Sequence, residues 1–201
     1  MTKILTALST SLDGFIAGPD DGLEQPLGTG GSRIFDWFGD GDTASRFYPG
    51  FRMSAASAEV FDAGVQRVGA VVTGRRTYDI SGAWGGQGPL PGVPLVVLTH
   101  HVPDDDPSDD PPYTFVTTGI EDAVEAARAL AGDKDVALMG AQPVQQCLRA
   151  GLLDEIHLGV VPVLLGGGVR LLDRIDAYVE LELVDVVDAP GITHLSYRVL
   201  R

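Results

Sequence analysis

Two short stretches decide the fold: residues 71–77 read VVTGRRT, and residues 137–144 read ALMGAQPV. In each, an apolar run predicts a buried strand that ends at a glycine and continues directly into a predicted helix. At such a crossing the glycine lets an anion approach the backbone, and the helix offers unpaired N–H groups and the positive end of its dipole. The two crossings therefore predict a pair of anion sites at one edge of a sheet.

The first crossing also carries fixed positive charge. Arg75 and Arg76 follow Gly74, in a chain that has only two lysines. In the second crossing Pro143 suits a first helical turn, where its missing N–H costs nothing. Two anion sites in one sheet suit a dinucleotide diphosphate with an additional phosphate; the alternative is two ordinary strand-to-helix turns with surface arginines. The P-loop pattern is absent from the sequence.

Outward from these crossings, the chain alternates predicted strands and helices and ends in an antiparallel pair. The predicted strands cover residues 3–9, 70–73, 94–99, 113–116, 136–139 and 156–160, and the predicted helices cover 54–65, 121–130 and 140–150. Residues 178–188 and 192–200 flank Pro190-Gly191 and predict a C-terminal hairpin. Residues 103–112, rich in Asp and Pro, predict a solvated excursion. The pattern favours a single three-layer α/β domain, residues 1–201, with a mixed sheet.

Composition narrows the possible partners. The 201 residues carry 14 Lys and Arg against 28 Asp and Glu, a formal net charge of −14. Such a field repels nucleic acid and anionic membranes, so neither is an expected partner. One cysteine, Cys147, fits a reducing compartment, and no targeting or spanning segment is visible, so we expect a cytoplasmic protein. The four histidines lack metal-ligand spacing, so no metal site is expected.

Two carboxylates are candidate proton donors near the expected cleft. Asp13 follows the first strand, and Glu59 lies in the first turn of the predicted helix 54–65. Burial that raised the pKa of one of them would allow it to donate a proton. The alternative role of Asp13 is to hydrogen-bond the tight turn before Gly14, and that of Glu59 is to interact favourably with the helix dipole. Trp37 is a candidate stacking lid, with core packing as its alternative.

An ordered series of motifs covers nearly the whole chain. The motifs are SLDGFIA at 11–17, GRRTY at 74–78, LVVLT at 95–99, MGAQP at 139–143, AGLLDEI at 150–156 and PVLLG at 162–166. In this order they resemble the dihydrofolate-reductase-like superfamily, and within it the reductase domain of the bacterial bifunctional riboflavin-biosynthesis deaminase-reductase. The resemblance implies a three-layer α/β/α fold with a mixed, mostly parallel sheet closed by an antiparallel hairpin. It also implies NADPH as cofactor and a homodimer.

Carried over by position, the resemblance implies a cofactor site and a substrate side. The first crossing would hold phosphates, including the adenosine 2′-phosphate, and the second would cradle the pyrophosphate. The residues implied to bind the cofactor are Ser9, Ile16, Ala17, Gly74, Arg75, Arg76, Thr77, Thr99, His100, Met139, Gly140, Ala141, Gln142, Pro143 and Val144. On the substrate side the resemblance implies Trp37, Glu59 and Leu164.

The implied activity is hydride transfer from NADPH to a polarised C=N or C=O carbon of a heterocyclic or sugar-derived substrate. The type that the resemblance favours is 5-amino-6-(5-phosphoribosylamino)uracil reductase, with Asp13 and Glu59 as candidate catalytic residues. Two alternatives stay open. One is dihydrofolate reductase activity, and the other is a non-catalytic protein that binds NADPH.

Overall fold

A computed structural model describes residues 2–104, 113–173, 175 and 178–200. Over these residues the chain forms four α-helices, two 3-10 helices and twelve strands. The helices are α1 Ala55–Arg67, α2 Arg75–Ile80, α3 Ile120–Ala131 and α4 Ala141–Arg149, with 3-10 helices at Gly31–Phe38 and Gly82–Gly86. The strands are β1 Ile4–Ser11, β2 Phe15–Ala17, β3 Thr43–Ala44, β4 Arg52–Met53, β5 Val68–Gly74, β6 Leu95–Leu98, β7 Thr114–Val116, β8 Asp135–Met139, β9 Glu155–Val161, β10 Val169–Arg170, β11 Leu181–Ala189 and β12 Ile192–Val199.

The predicted strands and helices each overlap an observed one. The agreement includes the C-terminal hairpin, which turns at Pro190-Gly191 between β11 and β12. The solvated excursion predicted for residues 103–112 falls mostly on residues 105–112, which lie outside the described residues.

Eight of the strands form one mixed sheet in the order β11-β12-β9-β1-β8-β5-β6-β7. The strands from β9 to β7 run parallel to one another, whereas β12 is antiparallel to β9, and β11 is antiparallel to β12. The predicted architecture, a mostly parallel sheet closed by an antiparallel hairpin, is confirmed.

The strand β1 lies in the middle of this sheet and depends on distant parts of the chain. Its neighbours are β8 on one side and β9 on the other, so Leu5 pairs with both Ala137 and Glu155. Both pairings join residues more than 120 positions apart.

Alternation along the central strands divides the core between the two faces of the sheet. Ala70 and Val72 of β5 pack with buried residues of α3 and α4, whereas Val71 packs with Tyr78 of α2 on the opposite face. That opposite face also carries a cluster in which Trp37 packs with residues of α1. Helices thus cover both faces, giving the three predicted layers.

Candidate functional site

The two predicted crossings, β5 to α2 and β8 to α4, lie against each other. A Cβ on Gly140 would stand 2.6 Å from Thr77 Oγ1, and a Cβ on Gly74 would stand 3.5 Å from Pro143 Cδ. Gly140 also has a φ of +91°, a backbone conformation that residues with a side chain rarely adopt. Both the available space and the backbone conformation therefore require glycine at position 140.

The helices that start at these crossings have open N-termini. Gly74 and Gly140 are the N-cap residues of α2 and α4; neither supplies a side-chain hydrogen bond, and neither first turn contains an acidic residue. At the start of α1, by contrast, the Ser57 N–H donates a hydrogen bond to Ser54 Oγ at 3.2 Å. The first N–H groups of α2 and α4 are therefore available to an external anion.

Arg75 extends from the start of α2 to the end of β6. Its Nε donates to Asp79 Oδ1 at 2.8 Å, and its Nη1 donates to the carbonyl oxygen of His101 at 2.8 Å. The same Nη1 lies 3.5 Å from the hydroxyl of Thr99, which is buried. Arg75 and Thr99, two of the predicted cofactor-binding residues, are thus brought together, and the neighbouring His100 is exposed.

Arg76 contacts a different part of the chain. Its Nη2 donates to the carbonyl oxygen of Asp21 at 2.7 Å and to Asp21 Oδ1 at 2.9 Å, and its Nε donates to Asp21 Oδ2 at 3.2 Å. The carboxylate raises the pKa of Arg76 through these hydrogen bonds and its charge. Sequence analysis did not anticipate this pair, because 55 residues separate its members.

The side chains of the remaining predicted cofactor residues differ in their exposure to solvent. In the second crossing Gln142 is exposed, whereas Ala141, Pro143 and Val144 are buried. Val144 belongs to the core with α3, so only its backbone is available to a ligand. At the other predicted position, the strand β2, Ile16 is half-buried and Ala17 is buried.

A cavity of about 670 Å³ lies between α1 and the sheet. Four of the predicted residues line it: Ser9, Trp37, Glu59 and Met139. Its walls are mainly apolar, which is typical of sites that take a flat organic ring. Ser9, which the resemblance implies beside the nicotinamide, thus lines the same cavity as Trp37 and Glu59 of the implied substrate side, whereas Ile16 and Ala17 do not line it.

The floor of this cavity includes one row of residues across three strands. Ser9 of β1 and His194 of β12 both pair with Gly159 of β9, so backbone without a side chain separates them. The Trp37 indole N–H donates to Ser9 Oγ at 3.0 Å, and the Trp37 ring meets the His194 ring edge-on, with 5.3 Å between centroids. Trp37 thus serves as buried packing and also forms a wall of the cavity.

His194, which lines the cavity, and its partner Ser57 were not indicated by the sequence. Ser57 Oγ lies 3.0 Å from His194 Nε2, both residues are buried, and burial lowers the pKa of His194. The alternation of β12 could have indicated that His194 shares a face with the buried Ile192. No spacing in the sequence could have indicated its hydroxyl partner, 137 residues away.

The Asp13 side chain connects the turn after β1 to the turn at residues 164–166 through hydrogen bonds. Its carboxylate accepts hydrogen bonds from the Ser11 hydroxyl at 2.6 Å and from the N–H groups of Leu165 and Gly166 at 3.1 and 2.8 Å. The Ser11 hydroxyl, helped by those two N–H groups, outweighs the effect of burial and lowers the pKa of Asp13 to about 2. The carboxylate therefore holds no proton at neutral pH, and the geometry favours the turn-bonding role over proton donation.

The other two substrate-side residues, Glu59 and Leu164, are more exposed than Trp37. Glu59 is exposed although it lines the cavity, and Leu164 is 72% exposed in the turn held by Asp13. Leu164 does not line the cavity. The prediction that Glu59 lies in the first turn of its helix is wrong, because α1 begins at Ala55 and its first turn contains no acidic residue.

Within the part of the chain that the structure describes, no helix is long and apolar enough to cross a membrane. The same residues contain no group of three or more His, Cys, Asp or Glu side chains placed to hold a metal ion.

Comparison with solved structures supports this fold. The chain aligns over its full length with the full length of a solved chain from Shewanella sp. PV-4 whose proposed role is riboflavin biosynthesis, at 24% identity and a TM-score of 0.71. It aligns over 99% of its length with 97% of dihydrofolate reductase from Enterococcus faecalis, solved with NADP(H) and RAB-propyl, at 14% identity and a TM-score of 0.61.

A third similar structure is a two-activity enzyme from Thermotoga maritima, a diaminohydroxyphosphoribosylaminopyrimidine deaminase/5-amino-6-(5-phosphoribosylamino)uracil reductase. The identity is 13% and the TM-score 0.60, and 99% of this chain aligns with 57% of that one. No curated protein matches the sequence. The sequence itself matches the RibD C-terminal domain family over residues 2–193, and the chain therefore belongs to that family.

Proposed function

We propose that this chain is an NADPH-dependent reductase that transfers a hydride to a heterocyclic or sugar-derived substrate, of the 5-amino-6-(5-phosphoribosylamino)uracil reductase type. The observation that carries the proposal is the contact between the two crossings, where Gly140 lies against Thr77 and Gly74 against Pro143. Two open helix N-termini therefore face the same edge of the sheet.

The residues at this edge fit a dinucleotide. Gly140 leaves the backbone bare where a Cβ would meet Thr77, and neither α2 nor α4 begins with a side-chain cap or an acidic residue. Backbone N–H groups and a helix dipole are suited to a pyrophosphate. Arg75 and Thr99, held side by side at the end of β6, would take the additional phosphate that distinguishes NADPH from NADH.

The cavity between α1 and the sheet would hold the substrate. The bound nicotinamide would supply the hydride. Ser9 lies on the sheet side of the cavity and is held by the Trp37 indole, so Trp37 fixes the wall against which a ring is positioned. The lining is mainly apolar, and Glu59, which lines the cavity, is the candidate proton donor.

The first test measures cofactor binding and turnover. NADPH should bind to the purified protein in calorimetry, and its absorbance at the reduced-nicotinamide band should fall on addition of 5-amino-6-(5-phosphoribosylamino)uracil. Arg75→Ala should weaken NADPH binding by roughly tenfold while changing NADH binding much less. Arg198→Ala, a matched loss of one exposed arginine on β12, serves as the control. Equal losses for NADPH and NADH would contradict the role of Arg75.

Dihydrofolate reductase activity is a second candidate, because the fold matches that of the Enterococcus faecalis enzyme over 97% of that chain. Dihydrofolate should be assayed beside the pyrimidine under the same conditions. Turnover of dihydrofolate alone would favour this second candidate. Binding of NADPH without oxidation by either compound would favour a non-catalytic cofactor-binding protein.

We also propose a homodimer, which the edge strand β11 supports. Leu183, Val184 and Val186 are each about half exposed on this strand. A second copy packed on β11 would remove these apolar side chains from water. Sedimentation should give twice the 21.2 kDa chain mass, and Leu183→Glu should shift it to the monomer.

A further inference from the structure

The long loop before the 3-10 helix Gly31–Phe38 is a compact unit. Across its base, Gly18 N–H donates to Leu27 O at 2.8 Å, and Thr29 N–H donates to Pro19 O at 2.7 Å. At its tip, Gly22 and Gln25 exchange backbone hydrogen bonds at 3.1 Å. The loop of residues 18–30 therefore has a defined shape of its own and presents Asp21 from a fixed position.

Arg76 holds this loop against α2. Its Nε and Nη2 each donate a hydrogen bond to the Asp21 carboxylate, and Nη2 also donates to the Asp21 backbone carbonyl, at 2.7 to 3.2 Å. The Asp21 side chain is only 13% exposed, whereas that of Arg76 is 60% exposed. The carboxylate is thus enclosed by the contact, and the guanidinium remains reachable from solvent.

An open groove adjoins this ion pair. Its volume is about 770 Å³, and it is lined by Gly22 and Leu23 of the loop and by Arg75 and Arg76 of α2. An anion that enters this groove or the edge of the sheet meets an arginine whose carboxylate-facing N–H groups are already engaged. To bind Arg76 fully, the anion has to replace the carboxylate.

We propose that Asp21 sets the cofactor affinity of this chain by competing, through its carboxylate, with the phosphates of the dinucleotide for Arg76. The inference rests on the proposed function, because it requires that a phosphorylated dinucleotide binds beside Arg76. Binding exchanges one anion for another: phosphate oxygens accept the hydrogen bonds that the carboxylate gives up, and no covalent bond changes. Asp21 is therefore a residue that determines affinity and is not a catalytic residue.

The size of the effect follows from the exposure of the pair. An ion pair that is partly exposed to water contributes modestly, so its loss changes a dissociation constant by about two- to fivefold. Removing the competitor should tighten cofactor binding, whereas removing Arg76 should weaken it. The effect of removing Asp21 should also vanish once Arg76 is gone, because then nothing remains to compete for.

The test is a double-mutant cycle on NADPH binding, measured by calorimetry in the full chain. Asp21→Asn should lower the Kd by about two- to fivefold. Glu24→Gln removes the same charge from an exposed side chain of the same loop and should leave the Kd nearly unchanged. In the Arg76→Ala background, Asp21→Asn should have no further effect. Thermal denaturation of each variant establishes that it is folded.

Three outcomes would overturn the proposal while leaving the proposed function intact. They are an unchanged or raised Kd for Asp21→Asn, equal tightening by Glu24→Gln, and tightening by Asp21→Asn that persists in the Arg76→Ala background. The last two would show a general effect of charge on an anionic ligand. Absence of NADPH binding in the unaltered chain would overturn the proposed function, and the competition with it.

Discussion

The two ends of the parallel sheet differ in the polar groups that they leave without a partner. At the end where β5 and β8 finish, the helices α2 and α4 begin on glycines without side-chain caps. At the end where β1 and β8 begin, charged side chains neutralise one another: Arg67 donates to Asp135 at 2.7 Å and to Glu155 at 2.9 Å. Lys3 also bonds Glu155, and His157 lies 3.1 Å from it.

The starting end of the sheet contributes to stability, and the finishing end is suited to ligand binding. Paired charges at the starting end satisfy one another and leave little for a ligand, whereas unpaired N–H groups at the finishing end are a cost that a bound anion removes. Substitutions at the starting end should therefore act mainly on unfolding, and substitutions at the finishing end mainly on cofactor affinity.

The largest effect is expected for Gly140→Ala. The new Cβ would collide with Thr77 Oγ1 and force the two crossings apart, which displaces the N–H groups that face the pyrophosphate. NADPH binding should therefore weaken by roughly 100-fold, about 2.7 kcal/mol. Gly151→Ala is the matched control, because Gly151 has a φ of +67° but open space around its Cβ position. Both variants should lose thermal stability, and Gly140→Ala should lose more, because it adds the close contact with Thr77 to the backbone strain. Only Gly140→Ala should lose affinity in calorimetry. Equal affinity losses would mean that backbone strain, and not the close approach, is responsible.

The next effect concerns the starting end. Arg67→Met leaves Asp135 and Glu155 without their shared partner in a largely enclosed setting, so the free energy of unfolding should fall by about 2 kcal/mol. Urea denaturation measures this change. The Kd for NADPH should stay within about twofold. A large loss of NADPH affinity without loss of stability would show that the starting end contributes to cofactor binding.

A pH dependence should accompany the same network. Burial raises the pKa of Glu155, but hydrogen bonds from Lys3, His157 and Arg67 outweigh it and lower the pKa from 4.5 to about 2. This stabilisation is therefore complete above pH 4.5 and is lost as the pH falls toward 2. Because water reaches part of the network, the loss should be about 1–2 kcal/mol. Denaturation curves between pH 6 and 2.5 should show it, and Glu155→Gln should flatten that dependence.

The smallest effect is expected at the capped helix. Ser54→Ala removes the acceptor of the Ser57 N–H and should lower the free energy of unfolding by about 1 kcal/mol. Cofactor affinity should not change, since this turn of α1 contacts His194 of β12, three strands from β8, through Ser57. Weakened NADPH binding in this variant would show that a capped helix start contributes to cofactor binding as well as to stability.

Local sequence signals predicted most of the fold. Ser54 before a helical run, Gly74 and Gly140 after apolar runs, and Pro190-Gly191 between two strands each indicate a boundary through chemistry confined to a few residues. The sequence also indicated that the two crossings belong to one sheet, whereas their contact depends on β5 and β8 being neighbouring strands.

The side-chain partnerships could not be predicted in the same way. The contact of Arg76 with Asp21, that of Ser57 with His194 and that of Asp13 with Gly166 join residues 55 to 153 positions apart. No periodicity or spacing encodes such pairs, since they depend on how loops fold over the finished sheet. Local signals therefore indicated only the two anion sites, the individual cofactor residues were implied by the resemblance, and the role of Asp13 was left between two alternatives.

The central position of β1 has a consequence for synthesis. Residues 4–11 leave the ribosome well before their neighbours, residues 135–139 and 155–161, which follow more than 120 positions later. At ordinary translation speeds of about 5–20 residues per second, this apolar segment waits roughly 6–30 s for its partners. Nascent chains that stop short of β9 therefore carry an unpaired, aggregation-prone strand, and chaperone capture of such chains should end when β9 emerges.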